Sequence, residues 1–304
     1  MLILFMCIHL RACPLIPKND VPVLLDLHGL FELTPVAMGF SLRDKLVVEL
    51  LKIIEKVILM NLDSYGDQIH IIAQSPYIKE YIIKRFGIPE HKVFVIPDGI
   101  DLSLVPIFDE TRRLKIREKL NLIDKYVIAY AGTPSYFHGF LDLLYAFRYV
   151  HQVYDKSHLL LMVPNKNIVI SQLRRYNIDL SYVTVLENVR KPWYYEILYA
   201  SDVLVLPHRG NTQFDFIYSN KLLDYIVTGR FIVGYDLMPV RDMLARYPLK
   251  ILAKPNNPKA LAEAILEGRA FRDSHVDGRQ YIRDYEWSIL AKEVVNVYDY
   301  LLKI

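Results

Sequence analysis

The stretch YVIAYAGTPSYFHGFLDLL, Tyr126 to Leu144, decides the fold. It reads as a strand over Tyr126–Ala131, a turn, and a helix that starts at Gly139 and runs to Val153. The strand segment is apolar throughout rather than alternating, as expected where both faces of a parallel sheet are covered. The same unit recurs along the chain. Short β-branched or aromatic runs stand at Val21–Leu27, Ile69–Ala73, Val93–Ile96, His158–Val163, Val183–Leu186, Val203–Leu206, Phe231–Tyr235 and Leu249–Ala253. Helical patterns lie between or after them, at Ser41–Asn61, Asp109–Leu120, Pro192–Ala200, Asn220–Thr228, Pro258–Phe271 and Glu286–Leu302. Strands alternating with helices imply βαβ units and an α/β fold.

A chain of 304 residues at roughly 100–200 per domain implies two domains. The turn-rich stretch from Pro97-Asp98-Gly99 to Pro106 marks the junction. Expected are an N-terminal domain over 1–106, a complete C-terminal doubly wound domain over 107–285, and a last helix over 286–304 that packs back on the first domain. Only about three strands precede the junction, so the first domain reads as shortened by roughly two units of about 30 residues each.

Composition removes several classes. The 37 basic and 34 acidic residues give a net charge of +3, too balanced to imply nucleic-acid binding. No apolar run reaches the roughly 18 residues of a membrane span. Met1–Leu10 lacks the basic flank and cleavage site of a signal peptide. Cys7 and Cys13 give neither a disulfide framework nor zinc spacing, and the nine histidines show no metal-ligand spacing. The expected location is cytoplasmic, free or peripheral at the inner membrane face. Helix Ser41–Asn61 is the segment that could lie on a membrane. The run Arg112-Arg113-Leu114-Lys115-Ile116-Arg117 reads as a solvated helix face.

Four places could carry chemistry. At the first, the turn from Gly132 to Gly139 opens a helix, whose N-terminal N–H groups and partial positive charge favour phosphate. At the second, Ser219 reads as the N-cap of Asn220–Thr228. Lys221 stands in its first turn, where a purely structural helix would carry an acid. Asp224 lies three residues on, on the same face, so the pair could hold a diphosphate and a ribose diol. At the third, His28 follows the strand Val21–Leu27, and ligands of open α/β sheets bind outside the carboxyl ends of strands. Asp215 is the carboxylate of a polar loop, Gly210–Phe216, at another strand end.

Four segments, in order and correctly spaced, resemble the retaining glycosyltransferases of family 4, which have the two-domain GT-B architecture. AQSPYIKEYIIKRFGIPEHKVFVIPDGID (Ala73–Asp101) resembles the segment ending in I-P-N-G-hydrophobic-D, with Asp98 for the asparagine. YAGTPSYFHGFLDLLYAF (Tyr130–Phe147) resembles the strand–loop–helix Y-x-G-R-x-x-x-x-K-G. VTVLENVRKPWYYEILYASDVLVLP (Val183–Pro207) resembles the nucleotide-side segment, and SNKLLDYIVTGRFIVGYD (Ser219–Asp236) resembles S-P-x-K-hydrophobic-x-E-Y-x-A-x-G-K-P-V-V.

The resemblance implies a nucleoside-diphosphate sugar donor, UDP- or GDP-linked, held in a cleft between two Rossmann-like domains. It also implies retention at the anomeric carbon, no essential metal and no cofactor beyond the donor. It puts Asp224 on the ribose hydroxyls. Lys221 and the backbone of Ser219, Asn220 and Leu222 fall on the donor phosphates, with Gly132, Thr133, His138 and Gly139. Asn188 falls near the base, and His28 and Asp215 on the donor sugar as catalytic residues. The family's usual loop arginine is Thr133 here and its usual lysine is His138. The first of its two spaced carboxylates falls on Phe216, with Asp215 adjacent. The acceptor, a glycan, lipid or protein, is left open, and a homo-oligomer is expected from exposed sheet edges. The competing reading is a non-catalytic nucleotide-sugar binder or partner subunit derived from such an enzyme.

Overall fold

A computed structural model describes residues 4–7, 22–33, 42–62 and 68–303. Contacts group the chain into two compact units. The first holds residues 1–99, 211–218 and 287–304, and the second holds 100–210 and 219–286.

The first unit is a four-stranded parallel sheet in the order β1-β2-β3-β4: β1 Leu4–Cys7, β2 Val23–Leu27, β3 Ile69–Ala73 and β4 Val93–Val95. Helix α1 (Leu42–Met60) connects β2 to β3, and α2 (Pro76–Phe86) connects β3 to β4. Successive side chains of β2 and β3 point to opposite faces. Leu25, Leu27, Ile71 and Ala73 join Leu59 of α1 and Ile78 and Ile82 of α2 in one core. Burial on both faces is why these strands read as unbroken apolar runs.

β1 was not expected as a strand, because Met1–Leu10 reads only as an apolar run. Helix α2 was also missed, although its signals stand in the sequence. Ser75 Oγ accepts from the Ile78 N–H at 3.1 Å, Pro76 follows the cap, and Gly87 closes the helix at φ +70°. Ile78 and Ile82 are buried, and Tyr81, Ile83 and Phe86 pack half-buried against the same core.

The second unit begins with α3 (Glu110–Lys119). Its six-stranded parallel sheet has the order β10-β9-β8-β5-β6-β7. The elements run β5 Tyr126–Ala131, α4 Phe140–Val153, β6 Ser157–Val163, α5 Lys166–Arg175, β7 Val183–Glu187, α6 Trp193–Ala200 and β8 Val203–Leu206. They continue with α7 Asn220–Val227, β9 Phe231–Tyr235, α8 Met238–Met243, β10 Lys250–Ala253 and α9 Pro258–Glu267. Strand order reverses between β5 and β8, the point where doubly wound sheets leave a crevice at their carboxyl ends. The last helix, α10 (Trp287–Leu301), belongs to the first unit. Its Leu290, Val297 and Leu301 pack on Leu24 and Ile72, the other face of that sheet.

The arginine run of α3 corrects the sequence reading. Arg113 and Arg117 are buried, not solvated. They reach the fully buried Asp202 at 2.9 and 3.1 Å, and Arg230 and Arg272 approach the same carboxylate at 3.6 and 3.8 Å. Asp202 also accepts from the Val127 N–H at 2.7 Å, tying α3 to the start of β5. Carbonyls satisfy the surplus guanidinium hydrogens: Ala200 and Leu122 for Arg117, and Ser201, Arg272 and Ser274 for Arg230. A hydropathy pattern assigns arginine to solvent because it registers the charge but not the distant partner.

Breaking a buried ion pair from one side leaves an uncompensated charge and costs about 3–5 kcal/mol. Asp202→Ala is therefore expected to lower the unfolding free energy by about that amount in urea denaturation. A change under about 1 kcal/mol would show that the hub does not hold the unit together.

Candidate functional site

The switch point of the second sheet carries a built cluster. Gly132 follows β5 directly, and its φ of +148° disfavours any residue with a side chain. A Cβ there would stand 2.1 Å from Lys221 Cε. Glycine at 132 thus allows Lys221, from the first turn of α7, to lie across the end of β5. Gly139 serves packing instead. Its φ is +66°, and a Cβ would stand 1.7 Å from the Pro207 carbonyl oxygen at the end of β8. The Tyr225 hydroxyl, on α7, accepts from the Ala131 N–H at 2.9 Å and bonds the Val205 carbonyl at 3.4 Å. It braces β5 against β8 directly beneath the cluster.

Burial sets the electrostatics. Lys221 is pulled down to about 8, chiefly by desolvation and against the pull of Asp224. His138 is pulled down to about 4 by burial and by the Lys221 charge, so it carries no charge at neutral pH in the free protein. Its Nδ1 lies 2.7 Å from Ser135 Oγ, and its ring meets that of buried His208 edge-on at 5.3 Å. Thr133 is exposed, and its carbonyl accepts from the Tyr130 hydroxyl at 2.7 Å. The turn between Gly132 and Gly139 therefore supplies no full positive charge, and Lys221 is the cation held across the end of β5.

Asp224 lies one helical turn on. The Tyr195 hydroxyl donates to its Oδ1 at 2.7 Å, and Lys191 Nζ stands 3.4 Å from the same oxygen. The Tyr194 hydroxyl also bonds this carboxyl group. Burial pushes Asp224 up; Lys191 and both tyrosines oppose that. Ser219 precedes α7 without a side-chain capping bond, and its carbonyl accepts from Leu222 N–H at 2.9 Å. Asn220 is the exposed first residue of α7. Asn188 is exposed in left-handed backbone at φ +50°, and its N–H donates to the Val163 carbonyl across the end of β6.

Two expected residues belong to the first unit. His28 stands just past β2, with Nε2 2.9 Å from Asp26 Oδ2 and Nδ1 2.6 Å from Gln74 Nε2. It is held above its usual range, chiefly by the hydrogen bond to Asp26 and against desolvation. Asp215 Oδ2 accepts from the Thr212 N–H at 3.1 Å in a reciprocal capping box. Phe216, at the family's carboxylate position, packs on the Tyr81 ring at 5.2 Å. Among the described residues, no group of three or more His, Cys, Asp or Glu is placed to hold a metal.

Sequence reasoning missed Lys191, Tyr194, Tyr195, His208 and Gln74. Lys191, Tyr194 and Tyr195 fall within a quoted motif, in the run Lys191-Pro192-Trp193-Tyr194-Tyr195. Tyrosines and a lysine bunched at a helix start were a usable signal.

Two α/β units, each built on a parallel sheet, have the architecture of the GT-B fold. The chain belongs to the family 4 glycosyltransferases. Residues 3–104 match Glycosyltransferase Family 4, and residues 125–268 match Glycosyl transferases group 1. A relative from Methanocaldococcus jannaschii, an uncharacterised glycosyltransferase, is 24% identical over 247 residues, or 75% of this chain. The chain spans 59% of that relative's length. Among solved structures, sucrose-phosphate synthase from Thermosynechococcus elongatus superposes with a TM-score of 0.71 at 20% identity, over 93% of this chain and 68% of that one. Anabaena HepE in complex with UDP gives 0.69 at 14%, over 92% and 72%. A Rickettsia africae glycosyltransferase gives 0.67 at 13%, over 94% and 72%. At these identities the structural likeness establishes the fold.

Gly132→Ala is expected to displace Lys221 with the fold kept; if Lys221 faces a nucleoside diphosphate, UDP affinity read by calorimetry should fall about 10- to 100-fold, the 1.5–3 kcal/mol of a hydrogen bond to a charged group. Unchanged affinity would separate Lys221 from the diphosphate. The pH dependence expected of such a role has a fixed sign: a diphosphate would be held by the protonated lysine, so affinity should be highest below about 8 and fall as the lysine deprotonates. Titrations between pH 7 and pH 9 that showed rising affinity would contradict this.

Proposed function

We propose that this chain transfers a hexosyl group from a UDP- or GDP-linked sugar to an acceptor hydroxyl with retention at the anomeric carbon, needing no metal ion. Lys221 across Gly132, followed by Asp224 on the same helix, is the observation that carries this reading. The acceptor oxygen bonds to the anomeric carbon, the bond from that carbon to the β-phosphate oxygen breaks, and the hydroxyl proton leaves with the departing diphosphate. Lys221 and the first turn of α7 face the charge that develops on the leaving group. Preorganised donors at such a charge are usually the largest catalytic term. Asp224 takes the ribose hydroxyls, exchanging tyrosine donors for ribose donors. The same reading gives Asn188 a role at the base, and His28 and Asp215 roles at the sugar. The UDP and UDP-glucose complexes of HepE favour uridine as the base.

A second reading, a donor-binding protein without transfer, draws on Thr133 and the neutral His138. Loss of one such stabilising group costs about 10²–10³ in rate. Thermal-shift and calorimetric titration with UDP, GDP, ADP and their sugar conjugates tests the donor site. Stabilisation by one nucleotide is expected, weakened at least about tenfold in Asp224→Ala without loss of fold. No response to any of them overturns both readings. A responding nucleotide whose sugar conjugate is neither transferred nor hydrolysed selects the second.

A cytoplasmic place with peripheral contact at the inner membrane face is part of the same proposal. Among the described residues no helix is long and apolar enough to cross a membrane. Helix α1 nonetheless exposes Leu46, Leu50, Ile53, Val57 and Met60 along one face. Its basic residues Arg43, Lys45, Lys52 and Lys56 outnumber its exposed acids Asp44 and Glu49, the combination that seats a helix on anionic lipid. Co-sedimentation with anionic vesicles is expected and should be lost in Ile53→Asp. No co-sedimentation, or a dimer by light scattering that survives vesicles, would give that face to another occupant.

A further inference from the structure

His28, Gln74 and Asp98 come together beyond the carboxyl ends of β2, β3 and β4, three adjacent strands of one sheet. Gln74 is buried. Its Nε2 lies 2.6 Å from His28 Nδ1 and 2.9 Å from Asp98 Oδ2. Asp98 Oδ1 stands 3.7 Å from Nδ1. An amide nitrogen carries two hydrogens and accepts none. One hydrogen goes to Asp98 and the other to Nδ1. Nδ1 is then an acceptor, and the ring proton of neutral His28 sits on Nε2, aimed at Asp26 Oδ2.

We propose that Gln74 is a positioning residue whose amide locks His28 in the Nε2–H form and occupies the lone pair with which His28 would otherwise accept a proton. The inference rests on the reading of His28 as the residue beside the donor sugar. A histidine with one nitrogen on a carboxylate and the other open has the arrangement of a general base. Here the second nitrogen is capped. His28 therefore meets the sugar as an oriented ring, not as a base toward the acceptor hydroxyl.

The groups around the ring oppose one another. Among the described residues, Asp26 faces it from β2 and Asp98 from beyond β4, and both carboxylates favour the charged ring. Tyr298 of α10 lies near Asp26; burial first, and then the Asp26 charge, push its hydroxyl up. Gln74 resists protonation. A hydrogen on Nδ1 would point at the amide hydrogens, and turning the amide to accept it would set Oε1 against Asp98 Oδ2. The place of Asp98, where the family has asparagine, gives the amide a charged partner that fixes its orientation.

The test is a ¹⁵N-histidine titration of the full chain, read from two-bond ¹H–¹⁵N correlations between pH 5 and pH 9. It needs no donor. In the wild-type protein neutral His28 is expected with its proton on Nε2. Gln74→Leu should lose that preference and raise the His28 midpoint by about half a unit or more. Asp98→Asn should lower the midpoint by about one unit, as loss of a nearby opposite charge does. Gln74→Glu, close in shape, should shift the ring proton to Nδ1 and raise the midpoint further. It keeps the test open if Gln74→Leu does not fold. A wild-type proton on Nδ1, or a tautomer and midpoint unmoved in both Gln74 variants, overturns the proposal. Failure of the glycosyltransferase reading registers separately, as absence of nucleotide binding.

Discussion

Lys221 lies where the side chain of any residue other than glycine at 132 would begin, and the site is organised around that overlap. An ammonium held there is poorly hydrated, which is why it is pulled down to about 8. A buried cation without a fixed counter-ion is costly in a protein interior. Asp224 offsets part of that cost but is itself drawn toward Lys191 and two tyrosine hydroxyls. The free protein thus holds a partly uncompensated positive charge at the switch point of a parallel sheet. Under the proposed function a diphosphate would supply what is lacking.

The precision of the cluster comes from parts that never touch a ligand. Tyr225 ties the ends of β5 and β8 together from below. Gly139 lets α4 begin against the Pro207 carbonyl. Farther away, Asp202 gathers four guanidinium groups and the Val127 amide near the start of β5, which anchors that end of the strand. The buried arginines hold the start of β5, and Lys221 lies at the far end of the same strand.

The alternation of strands and helices was legible because strands buried on both faces must be apolar throughout, and the order of the motifs located Lys221 and Asp224. Other features were not legible from local pattern. Arg113 and Arg117 find Asp202 more than eighty residues away, and no local pattern encodes that distance. β1 lacks the flanking periodicity that would separate it from an apolar tail. Helix α2 was legible in Ser75-Pro76, Gly87 and the spacing of Ile78, Tyr81, Ile82 and Phe86, and was missed all the same. Tyr194 and Tyr195 matter through a carboxylate on another helix, and Gln74 through a ring on another strand. A side chain's chemistry is written in its type, whereas its partner is written in the topology.

A crystal structure of the chain with UDP is the most direct measurement of whether this charge deficit is a donor site. The diphosphate should lie within hydrogen-bond reach of Lys221 Nζ and the first turn of α7, with the ribose hydroxyls on Asp224 and the Tyr195 hydroxyl released. Nucleotide bound away from the end of β5, or no nucleotide at saturating UDP with Lys221 still lying across Gly132, would contradict it.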